Sequence, residues 1–340
     1  MPIVLSHNTA LEVLRAIPPQ SGLLTPFASV LPGEELHVPR SGELTQALAR
    51  YGILPGAMHV LAESGARRSR ARGICAHATA ADPLPASSLL ELEPDLLVCG
   101  PELCFVQMSR RLTPVGVAVL GHELCGEYAH FSRLVSGYYE RPALATVDSI
   151  HDEIDALGNF YGKTRAQRAL QWVRGGSRSP METVVSCELF LPAAEGGFGF
   201  AAPQLNYQVS LDDAASKITG TSCCYVDVAY PDQLLGFEYD SAEYHTDPSR
   251  DRRRREALQH MGWRIVTIDL DCMADYGELL KTVSLVGDAI PRQADGESFS
   301  AKRGCELHGR LLRATRCGLG LSAALFGVPV PSGMKVHVRA

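Results

Sequence analysis

CYVDVAYPDQLLGFEYDSAEYHTDPSRDRRRREALQHMGWRIVT, Cys224 to Thr267, sets carboxylates inside two short apolar runs, where strand interiors are ordinarily neutral. Strand side chains alternate between faces. Cys224, Val226 and Val228 therefore share one face, and Tyr225, Asp227 and Ala229 the other. In the second run Phe237 and Tyr239 share a face, while Glu238 and Asp240 share the opposite one. A tight turn centred on Asp232 and Gln233 sets Asp227 directly across from Glu238, crowding three carboxylates onto one patch of sheet. A slip of one residue sends Asp227 to the opposite face, so the reading rests on that turn.

Carboxylates held together repel and raise one another's pKa unless a cation sits among them. Mg²⁺, a hard ion bound by one or two carboxylates plus water and phosphate oxygens, answers that need, with Mn²⁺ as its substitute. A salt-bridge network with Arg254 or its neighbours is the alternative, but three acids on facing strands are costly to desolvate without an ion. After the second run come His245, then Pro248 at an early helical position, then Asp251 to Arg255, mostly arginine. Asp251, Arg254 and Leu258 share a helix face by their spacing. Leu258 belongs to the core, so Arg254 points toward the sheet, within reach of Asp240 or a phosphate. Arg250, Arg252, Arg253 and Arg255 face solvent or a nucleic-acid backbone. Trp263 packs in the core, and Trp263 to Ile268 reads as a further strand.

The run VDVAYPDQLLGFEYDSAEYH followed by RDRRRREALQHMGWRIV resembles an uncharacterised bacterial domain family allied to the very-short-patch-repair endonucleases. That family belongs to the PD-(D/E)XK, restriction-endonuclease-like nucleases. The shared pattern is an Asp in a first strand, Glu-x-Asp in the next, a His five residues later, an Asp-x-x-Arg helix and a Gly-Trp turn. It spans roughly Ser177 to Ile268, about a quarter of the chain. The resemblance implies Asp227 and Glu238 as metal carboxylates with Asp240 beside them, and Glu182 as the glutamate of the preceding helix. It implies Mg²⁺-dependent cleavage of DNA, in which His245, placed just beyond the acids, or Arg254 would stabilise charge at the phosphate. Two departures stand out: Ser241 replaces the family's usual glycine, and Asp240 occupies the position of the superfamily's lysine. The alternative is a catalytically silent DNA-binding regulator on the same fold.

Glu182 also has a local reading. Ser179-Pro180-Met181-Glu182 is a capping box with proline at the first helical position. The two roles are compatible. Upstream, Lys163, Arg165, Arg168, Arg174 and Arg178 form a basic connector suited to a phosphate backbone or to a solvated helix face.

The 340-residue chain as a whole is ordinary in composition, 46% apolar with a net charge of −6. That charge argues against nonspecific coating of nucleic acid and leaves room for local basic patches. No run approaches the roughly eighteen apolar residues of a membrane span. The start, MPIVLSHNTALEVLRAI, lacks the marks of a secretory signal, so a cytoplasmic protein is expected. The ten cysteines contain no C-x-x-C pair and read as reduced thiols.

Residues 1–55 read as helical, with Ser6 a candidate cap. AMHVLAE, GICAHAT and DLLVCG then read as short strands, with Arg67, Arg68, Arg70 and Arg72 between the first two. His59 and His77 fit hydrogen-bonded structural roles within them. Pro101 opens a helical region. The order SH-x-x-AL, HVL, GI-x-x-H and GPELCFVQM resembles the N-terminal region of abortive-infection, toxin–antitoxin proteins. It implies a regulatory half with a cognate toxin or antitoxin partner, in phage defence. The expected fold is α/β (α+β), a C-terminal restriction-endonuclease-like mixed sheet flanked by helices after an N-terminal helical plus small-sheet domain. The boundaries are 1–145 for the N-terminal domain, 146–178 for the connector, 179–290 for the nuclease-like domain and 291–340 for the tail.

Overall fold

The computed structural model describes residues 1–27, 36–53, 56–62, 73–78, 84–85, 88–131, 137–240, 248–294 and 298–317. They divide into two compact units, residues 1–173 and 174–315. Helices flank mixed sheets in both, an α/β architecture.

The first unit runs β1 (Ile3–Leu5), α1 (His7–Ala16), β2 (Thr25–Pro26), α2 (Ser41–Ala49), β3 (Met58–Ala62), β4 (Ile74–Ala78), β5 (Leu89–Glu93) and β6 (Leu96–Cys99). It continues with α3 (Pro101–Met108), α4 (Pro114–Leu124), β7 (Tyr128–His130), β8 (Tyr138–Glu140), α5 (Val147–Ala156) and α6 (Lys163–Leu170). Its six-stranded sheet has the order β2-β5-β6-β1-β3-β4, and β7 pairs with β8 as a separate ribbon. The Leu-Leu-Val-Cys run of β6 is buried at every position, as a strand covered on both faces requires. Beside it β1 runs parallel, Ile3 opposite Leu96, and pairs antiparallel with β3 on its other edge.

The expectation of a purely helical start is corrected by β1, a strand of three residues that carries too little alternation to be recognised. Ser6 stands at the N-cap of α1 but makes no capping bond; its Oγ lies 3.1 Å from His7 Nδ1. His59 Nδ1 lies 2.7 Å from His77 Nε2, a hydrogen-bonded role for both. The Arg67 to Arg72 loop lies outside the described residues. Helices α5 and α6, in the stretch read as a connector, pack against α3 and α4.

Thr113 caps α4 by accepting from the Gly116 N–H at 3.1 Å, with Pro114 in the first turn. Close packing on this helix has a testable consequence at Gly121. A Cβ there would lie 2.3 Å from Val173 Cγ2 and 3.0 Å from Phe105. Gly121→Ala is expected to destabilise the first unit by about 1–3 kcal/mol through overpacking, despite alanine's better helix propensity. Urea denaturation would measure it, and an unchanged or raised midpoint would contradict the packing.

The second unit runs α7 (Pro180–Phe190), β9 (Gln204–Ser210), α8 (Asp213–Thr219), β10 (Cys223–Tyr230), β11 (Leu235–Tyr239) and α9 (Pro248–His260). Then follow β12 (Arg264–Ile268), α10 (Leu270–Ala274), α11 (Tyr276–Ser284) and α12 (Ala301–Cys317). The sheet order is β12-β11-β10-β9. Strands β9, β10 and β11 form an antiparallel meander, and the chain returns through α9 so that β12 lies parallel to β11. Val226, Cys224 and Val209 pack with Leu258 and Trp263, so the apolar face assigned from alternation is the buried one. The helix expected at Cys305–Leu312 extends over Ala301–Cys317. Residues 318–340 lie outside the described residues. Among the described residues no helix is long and apolar enough to cross a membrane, and the nine cysteines from Cys75 to Cys305 are free.

Candidate functional site

Strand register places the acids. Val228 pairs with Phe237 and Tyr230 with Leu235, so the same register sets Asp227 opposite Glu238. The connection is a 3₁₀ turn over Pro231–Gln233 closed by Leu234 at φ 48°, longer than a two-residue hairpin but centred on the same pair, Asp232 and Gln233. On the other side Val226 pairs with Tyr207 and Val228 with Leu205, which sets Asp227 opposite Asn206.

The β10–β11 ladder stops at Val228 and Phe237. Beyond it the Tyr239 N–H donates to Asp227 Oδ2 at 3.1 Å. The two strands part there, and the opening is filled from α9. Arg254 Nη1 donates to Glu238 Oε2 at 2.7 Å, and its Nη2 donates to Glu238 Oε1 and to the carbonyl of Tyr225. Leu258, one turn further along α9, is fully buried and anchors the helix that delivers this guanidinium.

Glu182 enters from the first turn of α7. Ser179 Oγ accepts its N–H at 3.1 Å, so the N-cap assignment stands. Its carboxylate turns to donors other than the Ser179 N–H that a capping box would use: Oε2 accepts from the Arg178 N–H at 2.7 Å and from Asn206 Nδ2 at 2.9 Å. Burial pushes the Glu182 carboxyl above its usual range, against the pull of those hydrogen bonds. Burial, then the charges of Glu182 and Glu238, push Asp227 up to about 8, against the Tyr239 N–H and Arg254. The charges of Glu182 and Glu238 therefore both reach Asp227, so three acids gather as the alternation argument expected, although the third is Glu182 and not Asp240.

Asp240 turns away. Its carboxylate lies 3.3 Å from Arg255 Nη2, and its N–H bonds to the Ile268 carbonyl at 2.9 Å. The expected pairing is thereby exchanged: Arg254 holds Glu238 and Arg255 holds Asp240. Helix spacing shows which face a residue occupies but not which acid a long side chain reaches. Arg252 pairs with Glu256 at 3.7 Å, and Arg253 donates to Ser249 Oγ at 3.4 Å; both are exposed, as is Arg250. Arg178 is exposed, with its guanidinium 5.6 Å from the centre of the Tyr225 ring. Arg174 is half-buried, its guanidinium 4.1 Å over the ring of Phe190, which makes it part of the packing of this unit. His245 lies outside the described residues.

Asn206 escaped the sequence reading. It sits mid-strand at φ 46°, in the left-handed region, and its amide also donates to the Gly176 carbonyl at 2.7 Å. Asparagine is one of the few residues that tolerates this backbone. A polar, strand-averse side chain between Leu205 and Tyr207 was the available signal.

The donor chemistry, a buried Asp227 carboxylate beside the charges of Glu182 and Glu238, suits a hard divalent cation. The arrangement is not closed around one point: among the described residues no three His, Cys, Asp or Glu side chains are placed to hold a metal. Glu238 is turned onto Arg254, and Asp240 onto Arg255.

The fold and site define an α/β protein with a carboxylate cluster at an opened strand pair. Over 152 residues the chain is 31% identical to uncharacterized protein Rv2248 of Mycobacterium tuberculosis strain H37Rv. It matches uncharacterized protein MT2308 of strain CDC 1551 with the same identity. Each match covers 40% of this chain and 51% of the relative, so the chain spans about half the length of the curated relatives it matches. No family profile and no solved structure matches the chain.

Proposed function

We propose that the second unit is a metal-dependent endonuclease of the PD-(D/E)XK kind, hydrolysing DNA phosphodiester bonds in the cytoplasm. One observation carries the reading. Asp227 is held between Asn206 and Glu238 with its carboxyl pushed up to about 8, so the fold keeps acids together at a cost that a cation would relieve. Asp227 and Glu182, with Glu238 once released, would hold Mg²⁺ or Mn²⁺. Such an ion, when bound, polarises a phosphate and acidifies a water. Asn206 and the Arg178 N–H fix the Glu182 carboxylate, and the Tyr239 N–H fixes that of Asp227. Arg254 lies beside the acids, suited to bidentate contact with phosphate. Arg250, Arg252, Arg253 and Arg178 are exposed and suited to the backbone on either side. His245 remains a candidate for a phosphate or water contact. The resemblance of the first unit to toxin–antitoxin proteins supports a cognate protein partner and a setting in phage defence.

Cleavage of plasmid DNA with Mn²⁺, wild type beside Asp227→Ala and Glu238→Ala, tests this. Loss of about a thousandfold or more is expected in each variant. Full activity in both would sink the proposal. A second reading, a DNA-binding regulator without turnover, is favoured by Glu238 being engaged by Arg254 and by Asp240 in place of the superfamily's lysine. Salt-dependent DNA binding without cleavage by the wild type would select it.

A further inference from the structure

Resting on the reading of the acid cluster as a cation site, we infer that Arg254 is the site's resident counter-cation, competing with the metal for Glu238 and displaced by substrate phosphate. Both carboxylate oxygens of Glu238 are taken by the one guanidinium. Its Nη2 is held further by the Tyr225 carbonyl, which is available because the β10–β11 ladder ends at Val228 and Phe237. The guanidinium thus spans the mouth of the opened strand pair, and the buried Leu258 fixes the helix behind it.

This contact accounts for the missing convergence. Of the three acids, Glu182 and Asp227 are held by backbone and amide donors that leave lone pairs for a metal. Glu238 has both of its oxygens on one guanidinium. A divalent ion between Asp227 and Glu238 would meet that like charge at close range, so guanidinium and metal exclude one another. The side chain is 28% exposed, so a ligand can reach it from solvent. A phosphodiester offers the same planar pair of anionic oxygens as a carboxylate, the geometry that guanidinium binds bidentately. The exposed arginines of the same helix, Arg250, Arg252 and Arg253, draw a polyanion to that surface. A phosphate that takes Arg254 leaves Glu238 open to the metal. By linkage, phosphate then tightens metal binding by the same factor as metal tightens phosphate binding.

Isothermal titration of Mn²⁺ into wild type, Arg254→Gln and Arg254→Lys tests the competition without any turnover. Arg254→Gln is expected to bind Mn²⁺ at least about tenfold more tightly than wild type, the worth of a charge-assisted bidentate contact. Arg254→Lys, a point charge without the fork, should fall between them and serves if the glutamine variant does not fold. Adding Asp227→Ala to Arg254→Gln should abolish the gain. Millimolar diethyl phosphate should tighten Mn²⁺ binding severalfold in wild type and leave Arg254→Gln unchanged. Binding by Arg254→Gln alone, with none by wild type, supports the inference most strongly. Equal or weaker binding by both Arg254 variants, with wild type binding, overturns it and leaves the cation site standing. No binding by any of them overturns the inference and the cation site together.

Discussion

Asp227→Asn is expected to stabilise the metal-free protein at pH 8 while removing its Mn²⁺ binding. The carboxyl is pushed from its ordinary 3.8 up to about 8, first by burial and then by Glu182 and Glu238. A raised acid holds its proton longer in the folded chain than in the unfolded one. The contribution of this carboxyl is therefore largest below about pH 4, falls as pH rises from about 4 to about 8, and stays reduced above that. Asparagine cannot ionise but keeps an oxygen for the Tyr239 N–H, so the variant should lack this part of the slope. At pH 8 the difference should reach about 2 kcal/mol or more, well below the full value of the shift because the site is partly open to solvent. It should vanish near pH 4. Denaturant midpoints of both proteins across this range provide the check. A wild type that gains stability relative to the variant as pH rises would show that the acid cluster is not strained. Stability gained where function is lost is what a site organised for a ligand leads one to expect.

Glu123→Ala is expected to cost the first unit about 3–5 kcal/mol, the effect of leaving a buried charge unpaired. Arg15 Nε donates to Glu123 Oε1 at 2.7 Å and Nη2 to Oε2 at 2.5 Å, with both side chains almost wholly buried. The His130 N–H also donates to Oε1 at 3.0 Å, and Arg141 Nη2 to the Glu123 carbonyl at 3.0 Å. Burial alone would raise the Glu123 carboxyl; the charge of Arg15 and its neighbours outweighs it and holds the group down to about 2. The sign is opposite to that at Asp227. The contribution is present above the ordinary value of 4.5 and is lost as pH falls toward 2. Removing both partners, Arg15→Met with Glu123→Leu, should recover much of the loss, because apolar packing often replaces a buried pair without penalty. A double-mutant cycle in urea decides the matter. Additive losses would mean that the two residues do not act as a pair.

The second unit was the more legible of the two. Its strands alternate cleanly, and the turn at Asp232 and Gln233 is bounded closely enough that the Asp227–Glu238 register followed. Ser179-Pro180-Met181-Glu182 marked the start of α7 because its capping chemistry is local. The first unit was harder. Strand β1 is too short for its period to register, and β5, Leu-Leu-Glu-Leu-Glu, passed unread among polar neighbours. The Arg15–Glu123 pair joins residues separated by 108 positions, and nothing near either one announces the other.

Short-range chemistry thus accounts for what could be read along the chain: the strand faces of the second unit, its order of elements, the cap at Ser179 and the gathering of acids on one patch. Tertiary structure alone decided three further things. It chose Asn206, through a left-handed backbone imposed mid-strand, to hold Glu182 beside Asp227. It sent Asp240 to Arg255 and Glu238 to Arg254. And it ended the β10–β11 ladder where that guanidinium enters. Each depends on where a long side chain comes to rest against a distant strand, a matter settled by packing in three dimensions and not by the period of any segment.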